Sequence, residues 1–483
     1  MSPPDAEPAS TGPARTGPVS TGPASTGPAS TGPASTGPAS TGPVGTGPAG
    51  TGPADSGQPV RGASADRADA GSAPEAPADR ADAEPVPGAD EPPLRVTTLE
   101  LFFDLVFAFT LTQLATLLAS GFTAADAGRV LLIFGLLWWM YEGYAWLTNA
   151  RPPVHTAERL LLLVAMAGFL TIGLAIPGGF GGTSLALGLG YLVVVLVHGW
   201  LYFRVNRNII RVMPFNVVSA LLVIVAALLP GTDGAVPPAG YVLWVVALAV
   251  QLGSPLIVNP KSLFQLRPAH LAERHSALLL VALGESVAAI GVGAGRLAGH
   301  SGTDNARLVA AAVLGLALAA ALWWVVFGAG DEEAAERVLT AATSERRTAL
   351  ALSAFFYGNI PLLLGLVAMA AGVGEAIAHS HRIAAGPADA AVALAVGAAL
   401  FLAGEADIRR SLGTGPWRLR AATAVIALTT AAIGAFVSLA VQLTVITVLL
   451  VVMLVLERRE SPAGPEQEHP PRPTPPTPGA AAG

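Results

Sequence analysis

Between Leu99 and Leu456 the chain alternates long apolar runs with short polar breaks, while the two flanks carry no such runs. Runs of about 20 residues, enough for one helix to cross a hydrocarbon core, fall at roughly 99–120, 128–147, 158–177, 183–203, 213–230 and 239–258. A second set falls at about 276–296, 306–328, 347–372, 388–406, 420–437 and 439–456. The last two form one uncharged stretch, Ala421–Leu456. As a single helix it would measure about 54 Å, too long for one span, so the pattern predicts a tight hairpin of two helices. The expectation is an all-α polytopic bundle of about 12 transmembrane helices.

Cation placement supports that count. Alternate loops, starting after the second run, hold fifteen Lys and Arg between Arg151 and Arg420, whereas the opposite loops hold four: Arg129, Arg296, Arg307 and Arg382. By the positive-inside rule both termini are expected in the cytoplasm. The flanks read differently. Residues 1–93 carry a TGPAS repeat, with TGP recurring nine times from Thr11 to Pro53, then an Ala/Asp/Pro-rich linker; residues 461–483 are Pro-rich. Neither flank has apolar surface to bury, so both are expected to be disordered. The predicted organisation is therefore tail 1–93, membrane domain 94–460 and tail 461–483.

Composition narrows the chemistry. Of 483 residues, 12% are charged, about half the usual share of a soluble domain. The absence of cysteine excludes disulfides, Cys-ligated zinc and iron–sulfur clusters. A net charge of −6 with no basic stripe argues against a nucleic-acid partner. No GxxxxGKS loop or GxSxG elbow occurs, and HLAERH (His270, Glu273, His275) has the spacing of neither HExxH nor HxxEH. No metal, no cofactor and no enzyme activity are expected; the partners are the lipid bilayer and a small ion or solute.

Charges at bilayer depth are costly and each needs a reason. Glu100 and Asp104, one turn apart, share a face of the first span, with Thr112 and Gln113 continuing a polar track. Glu285 lies deep in the seventh run. Glu142, in WWMYEGYAWLTN, reads as an extracellular-side acid beneath an aromatic belt. These four carboxylates are the candidate ion or substrate pathway, with Arg95 and Arg274 as charge partners, each for the acids of its own half. His198 in the fourth run is expected to be an interhelical hydrogen-bonding residue. Glu158-Arg159, Glu273-Arg274 and Glu345-Arg346 each precede a span, and their members, being adjacent, point to different sides.

Trp138-Trp139 and Trp323-Trp324 suggest two parallel six-helix repeats, about 95–260 and 270–458. Equal spacing to the Trp pairs aligns Glu100 with Glu285, while motif similarity aligns Asp104 with Glu285, and both registers stand.

The segments TTLELFFDLVFAFTLTQL, WWMYEGYAWLTN, HLAERHSALLLVALGESVAAIG and ALWWVVF resemble the bacterial low temperature requirement protein A family over about 94–328, the rest fitting by span pattern. That resemblance implies a bacterial multi-pass cell-membrane protein connected with growth at low temperature. Ser276 in ERHS and Val325–Gly328 after the second Trp pair depart from the family pattern. FFDLVFAFTLTQL is also similar to the first-helix motif of a lysosomal potassium/proton channel family. The expected function is a proton- or cation-linked transporter or channel using intramembrane carboxylates. The alternatives are a non-transporting membrane factor for growth in the cold and an intramembrane enzyme.

Overall fold

The computed structural model describes residues 95–205, 207–231, 236–257, 266–298, 305–379 and 385–460; both tails lie outside these. Helices form where the apolar runs fall: α1 (Thr98–Ala119), α2 (Ala124–Ala150), α3 (Thr156–Ala175), α4 (Ser184–Phe203), α5 (Met213–Leu228), α6 (Pro238–Ile257), α7 (Pro268–Ala298) and α8 (Asn305–Phe327). They continue with α9 (Asp331–Ala341), α10 (Ser344–Ala351), α11 (Asn359–Ala378), α12 (Ala388–Leu412), α13 (Trp417–Thr429), α14 (Ala431–Phe436) and α15 (Leu439–Glu460). Among the described residues there is no strand. Each expected run coincides with helix, and among the described residues 11 helical stretches are long and apolar enough to cross a membrane. The remaining one, α5, has 16 residues. At about 24 Å it is shorter than the ~30 Å hydrocarbon core.

Side-chain chemistry sets the breaks. Thr97 and Glu100 form a capping box that starts α1, and Thr123 with Asp126 does the same for α2. The expected hairpin forms at Val437–Ser438, where the Ser438 hydroxyl accepts the Val441 amide at 3.1 Å and begins α15. Helix α12 stops at Gly413, whose φ of 69° suits a residue without Cβ. A six-residue π turn, Leu352–Tyr357, joins α10 to α11. The hydrophobic pattern did not predict α9: its acidic first turn, Asp331–Glu333, and scattered apolar positions make a short amphipathic helix between two spans.

Helix α1 packs on α3, α7 and α11, while α11 packs most extensively on α12. At that last contact a Cβ on Gly365 would lie 2.5 Å from the Phe401 amide nitrogen, and one on Gly397 would lie 2.7 Å from that of Met369. Small residues thus let two backbones approach closely where no hydrophobic drive separates helix from lipid. The two Trp pairs sit in unlike surroundings. Trp138 is 1% exposed and its indole donates to the Phe356 carbonyl at 3.0 Å, whereas Trp323 and Trp324 are 41% and 43% exposed on the bundle's outer surface.

Candidate functional site

Three helices bring the site together, each by its own periodicity. On α1, Glu100 and Asp104 are one turn apart; on α7, His270 and Arg274 are likewise one turn apart. On α2, Tyr141 and Thr148, and next to them Glu142 and Asn149, recur after two turns and face the same way. These residues meet where the start of α1, the end of α2 and the start of α7 adjoin.

Arg274 is the centre. Its Nη1 donates to Glu100 Oε1 at 2.9 Å and to the Thr148 hydroxyl at 2.6 Å, and its Nη2 donates to Asp104 Oδ1 at 3.1 Å. The guanidinium carbon lies 5.7 Å from the Phe103 ring centre and 5.8 Å from that of Tyr141. Asp104 Oδ1 also accepts from the Tyr141 hydroxyl at 2.8 Å. All of this is buried: Arg274 is 1% exposed and Asp104 0%. Two buried atoms of this cluster have no hydrogen-bond partner among the described residues, Asp104 Oδ2 and Arg274 Nε.

Hydrogen-bond geometry assigns the histidine protons. The Asn149 amide is fixed by Arg267, whose N–H donates to Asn149 Oδ1 at 3.0 Å and whose carbonyl accepts from Asn149 Nδ2 at 2.9 Å. That orientation turns Nδ2 toward His270 Nδ1, at 3.4 Å, which therefore acts as an acceptor. The tautomer with its proton on Nε2 directs that N–H at Glu100, 3.3 Å away. His275 is arranged differently. Its Nδ1–H donates to the Leu271 carbonyl at 2.8 Å, so the 2.9 Å contact between Nε2 and Glu142 Oε1 requires a second proton, held by the imidazole or by the carboxyl. Glu142 Oε2 accepts from the Trp146 indole at 2.9 Å.

The structure places the sequence candidates as follows. Glu100, Asp104, Glu142 and Arg274 come together. Arg274 serves the acids of the other half, across α1 and α7, and not those of its own half as expected. Glu142 comes to the same end of the bundle as Glu100, because in the antiparallel order of α1 and α2 the end of α2 returns to the start of α1. Arg95 is exposed ahead of α1 and takes no part in the cluster. The Glu285 side chain lies outside the described residues. Thr112 bonds back to the Ala108 carbonyl and does not extend the polar track. His198, expected to be hydrogen-bonded, has neither ring nitrogen paired. It packs instead between Tyr144 and Tyr202, with ring centres 5.2 and 5.5 Å away, against a helix face opened by Gly143. Sequence reasoning gave no role to His270, His275, Tyr141, Thr148 and Asn149. The available signal was the matching spacing, His270/Arg274 on one helix and Tyr141/Thr148 on another.

A second ionic cluster lies at the same end. Arg420 on α13 donates from Nε and Nη2 to Glu457 of α15 at 2.8 and 3.2 Å, and from Nη1 to Glu405 of α12 at 2.6 Å. Arg409 binds Asp331 of α9 at 2.7 Å and Glu457 at 3.5 Å. Three of the fifteen cations of the alternate loops, Arg274, Arg409 and Arg420, are thus buried in ion pairs inside the bundle. A cavity of about 170 Å³ separates the clusters, with His275 and Ser276 on one wall and Asp331, Glu405 and Arg409 on the other.

These features define a multi-pass membrane helix bundle with a buried, hydrogen-bonded ionic cluster among α1, α2 and α7. Residues 95–455 match the family model for the bacterial low temperature requirement A protein (LtrA), and the chain belongs to that family. It is also similar to the uncharacterized protein RA0937 of Rhizobium meliloti (strain 1021), with 27% identity over 321 residues that cover 64% of this chain and 76% of that protein.

Proposed function

We propose that the protein is a proton-linked transporter of the bacterial cell membrane, with Asp104 as the group that takes up and releases the proton. The charge count of the cluster carries this reading. Glu100 and Asp104 face one guanidinium; with His270 in the tautomer that accepts from Asn149, and one proton shared between Glu142 and His275, the other groups cancel. One negative charge is left over. At bilayer depth an uncompensated charge costs a few kcal/mol or more, which uptake of one proton removes. Oδ2 of Asp104, buried and without a partner, has the free lone pairs to receive it. The neighbouring Arg274 favours a proton over a metal cation at that oxygen, because a proton neutralises the carboxylate without adding a second cation beside the guanidinium.

The cavity reaching His275 supports an entry route. Its mouth lies at the end of the bundle that holds the cation-rich loops, which the positive-inside rule assigns to the cytoplasm together with both termini. Protons enter there and pass through the His275–Glu142 pair. Glu285 stands three turns beyond Arg274 on α7 and is the next carboxylate along that helix. The second reading, a non-transporting factor for growth in the cold, draws on the structural duties of the same residues. Glu100 caps α1, and Asn149 ties the end of α2 to the start of α7.

Asp104→Asn separates the two. The amide oxygen still accepts from Arg274 and Tyr141, so the clamp persists while the titratable group is lost. In proteoliposomes carrying a pH-sensitive dye, the native protein is expected to move protons and the variant to lose at least nine-tenths of that flux. Absence of proton movement by the native protein, together with full complementation of low-temperature growth by the variant, would overturn the transport reading.

A further inference from the structure

Helices α12 and α13 leave a second concavity, of about 410 Å³, on the outer surface of the bundle. Its floor is made of small residues, among them Ala399 and Ala403 on α12 and Ala421 and Ala424 on α13. From Arg410 down to Val396 it follows about four turns of α12, some 21 Å, which exceeds the ~15 Å hydrocarbon depth of one leaflet. An apolar trough of that depth facing lipid takes an acyl chain.

The upper end has a different chemistry. Arg410 and Arg418 flank one indole, their guanidinium carbons 5.5 and 5.6 Å from the Trp417 ring centre. Both arginines are exposed and, among the described residues, neither is ion-paired, in contrast to their sequence neighbours Arg409 and Arg420, which are turned inward and bound to carboxylates. Trp417 suits the membrane interface, where amphipathic rings collect. Asp407, one turn before Arg410, also lines the rim and leaves a local charge of about +1, matching one phosphodiester.

We propose that this groove binds one anionic phospholipid, with the phosphate held between Arg410 and Arg418 on the Trp417 ring and one acyl chain lying along the alanine floor. The inference does not rest on the transport reading. The two arginines act as charge-assisted donors to the phosphate oxygens. The floor supplies contact area without specificity, so preference among lipids resides at the rim.

The test uses full-length protein purified in detergent and stripped of lipid, titrated with phosphatidylglycerol, phosphatidylethanolamine and phosphatidylcholine of identical acyl chains, with occupancy read by native mass spectrometry. One phosphatidylglycerol is expected to bind at least tenfold more tightly than either zwitterionic lipid. The double substitution R410A/R418A should reduce that preference to twofold or less, and A403F, which fills the floor, should lower occupancy by all three lipids. All three positions are exposed, so thermal unfolding in detergent should stay within a few degrees of the native protein. Equal binding of the three lipids, preference for a zwitterionic one, or a preference that survives R410A/R418A would each overturn the proposal.

Discussion

Arg274 and Arg420 are both buried, both bridge two carboxylates, and both lie near the same cavity, yet their surroundings differ. Around Arg420 every guanidinium nitrogen is engaged, the acids come from α12 and α15, and a second arginine shares Glu457. Among the described residues no histidine bonds to that cluster. Around Arg274 one nitrogen and one carboxylate oxygen are left without partners, and two imidazoles adjoin the acids. Saturation makes a clamp; a vacancy beside imidazoles is what the proposed proton site requires. The arginines alone would have been indistinguishable. Their unpaired atoms tell them apart.

Three measurements bear on that contrast and a fourth, with its control, on the two Trp pairs; the four are taken from the largest expected effect on stability to the smallest. Arg420→Ala leaves Glu405 and Glu457 buried without a cation, and should cost about 3–5 kcal/mol, seen as a sharp fall in folded protein on thermal challenge in detergent. Arg274→Lys keeps the charge but loses the fork that reaches both Glu100 and Asp104; a cost of about 2 kcal/mol with loss of proton flux is expected, and wild-type flux would count against the bridging role. Glu142→Gln still accepts from Trp146 and donates to His275, so stability should drop by about 1 kcal/mol or less while flux slows. Trp323→Leu, on the outer surface, should change stability by no more than about 0.5 kcal/mol. Trp138→Leu, which empties a core position and removes the indole donor to the Phe356 carbonyl, is the control that should cost several times more.

The helices were legible in the sequence because the bilayer imposes a single length and a single polarity, and every one of the twelve runs became helix. The hairpin at Val437 followed from the same length argument. The short α9 escaped it, since a surface helix between spans needs no long apolar run. At the site, the embedded acids stood out by the penalty they incur, but their partners did not. Glu-Arg pairs occur three times and look alike: Glu158 binds Arg151 at 3.1 Å, Glu345 and Arg346 are exposed, and only Arg274 turns into the bundle. Which arginine turns inward depends on α7 packing against α1, a contact between residues about 170 positions apart that no local pattern encodes. The surroundings of Glu142 were not legible for a related reason. Its aromatic neighbours suggested an interfacial belt, whereas they wall the ionic cluster.

The π turn at Leu352–Tyr357 carries a mechanical consequence. Such a turn holds one residue more than the α-helical path needs, and that residue amounts to a rotation of about 100° stored in the helix. Two of its side chains are in use: the Phe355 ring lies 4.8 Å from that of His275, and the Phe356 carbonyl accepts from Trp138. A single surplus residue thus holds both contacts in register, and an α-helical path through the same residues would turn the Phe355 ring and the Phe356 carbonyl away from His275 and Trp138 together.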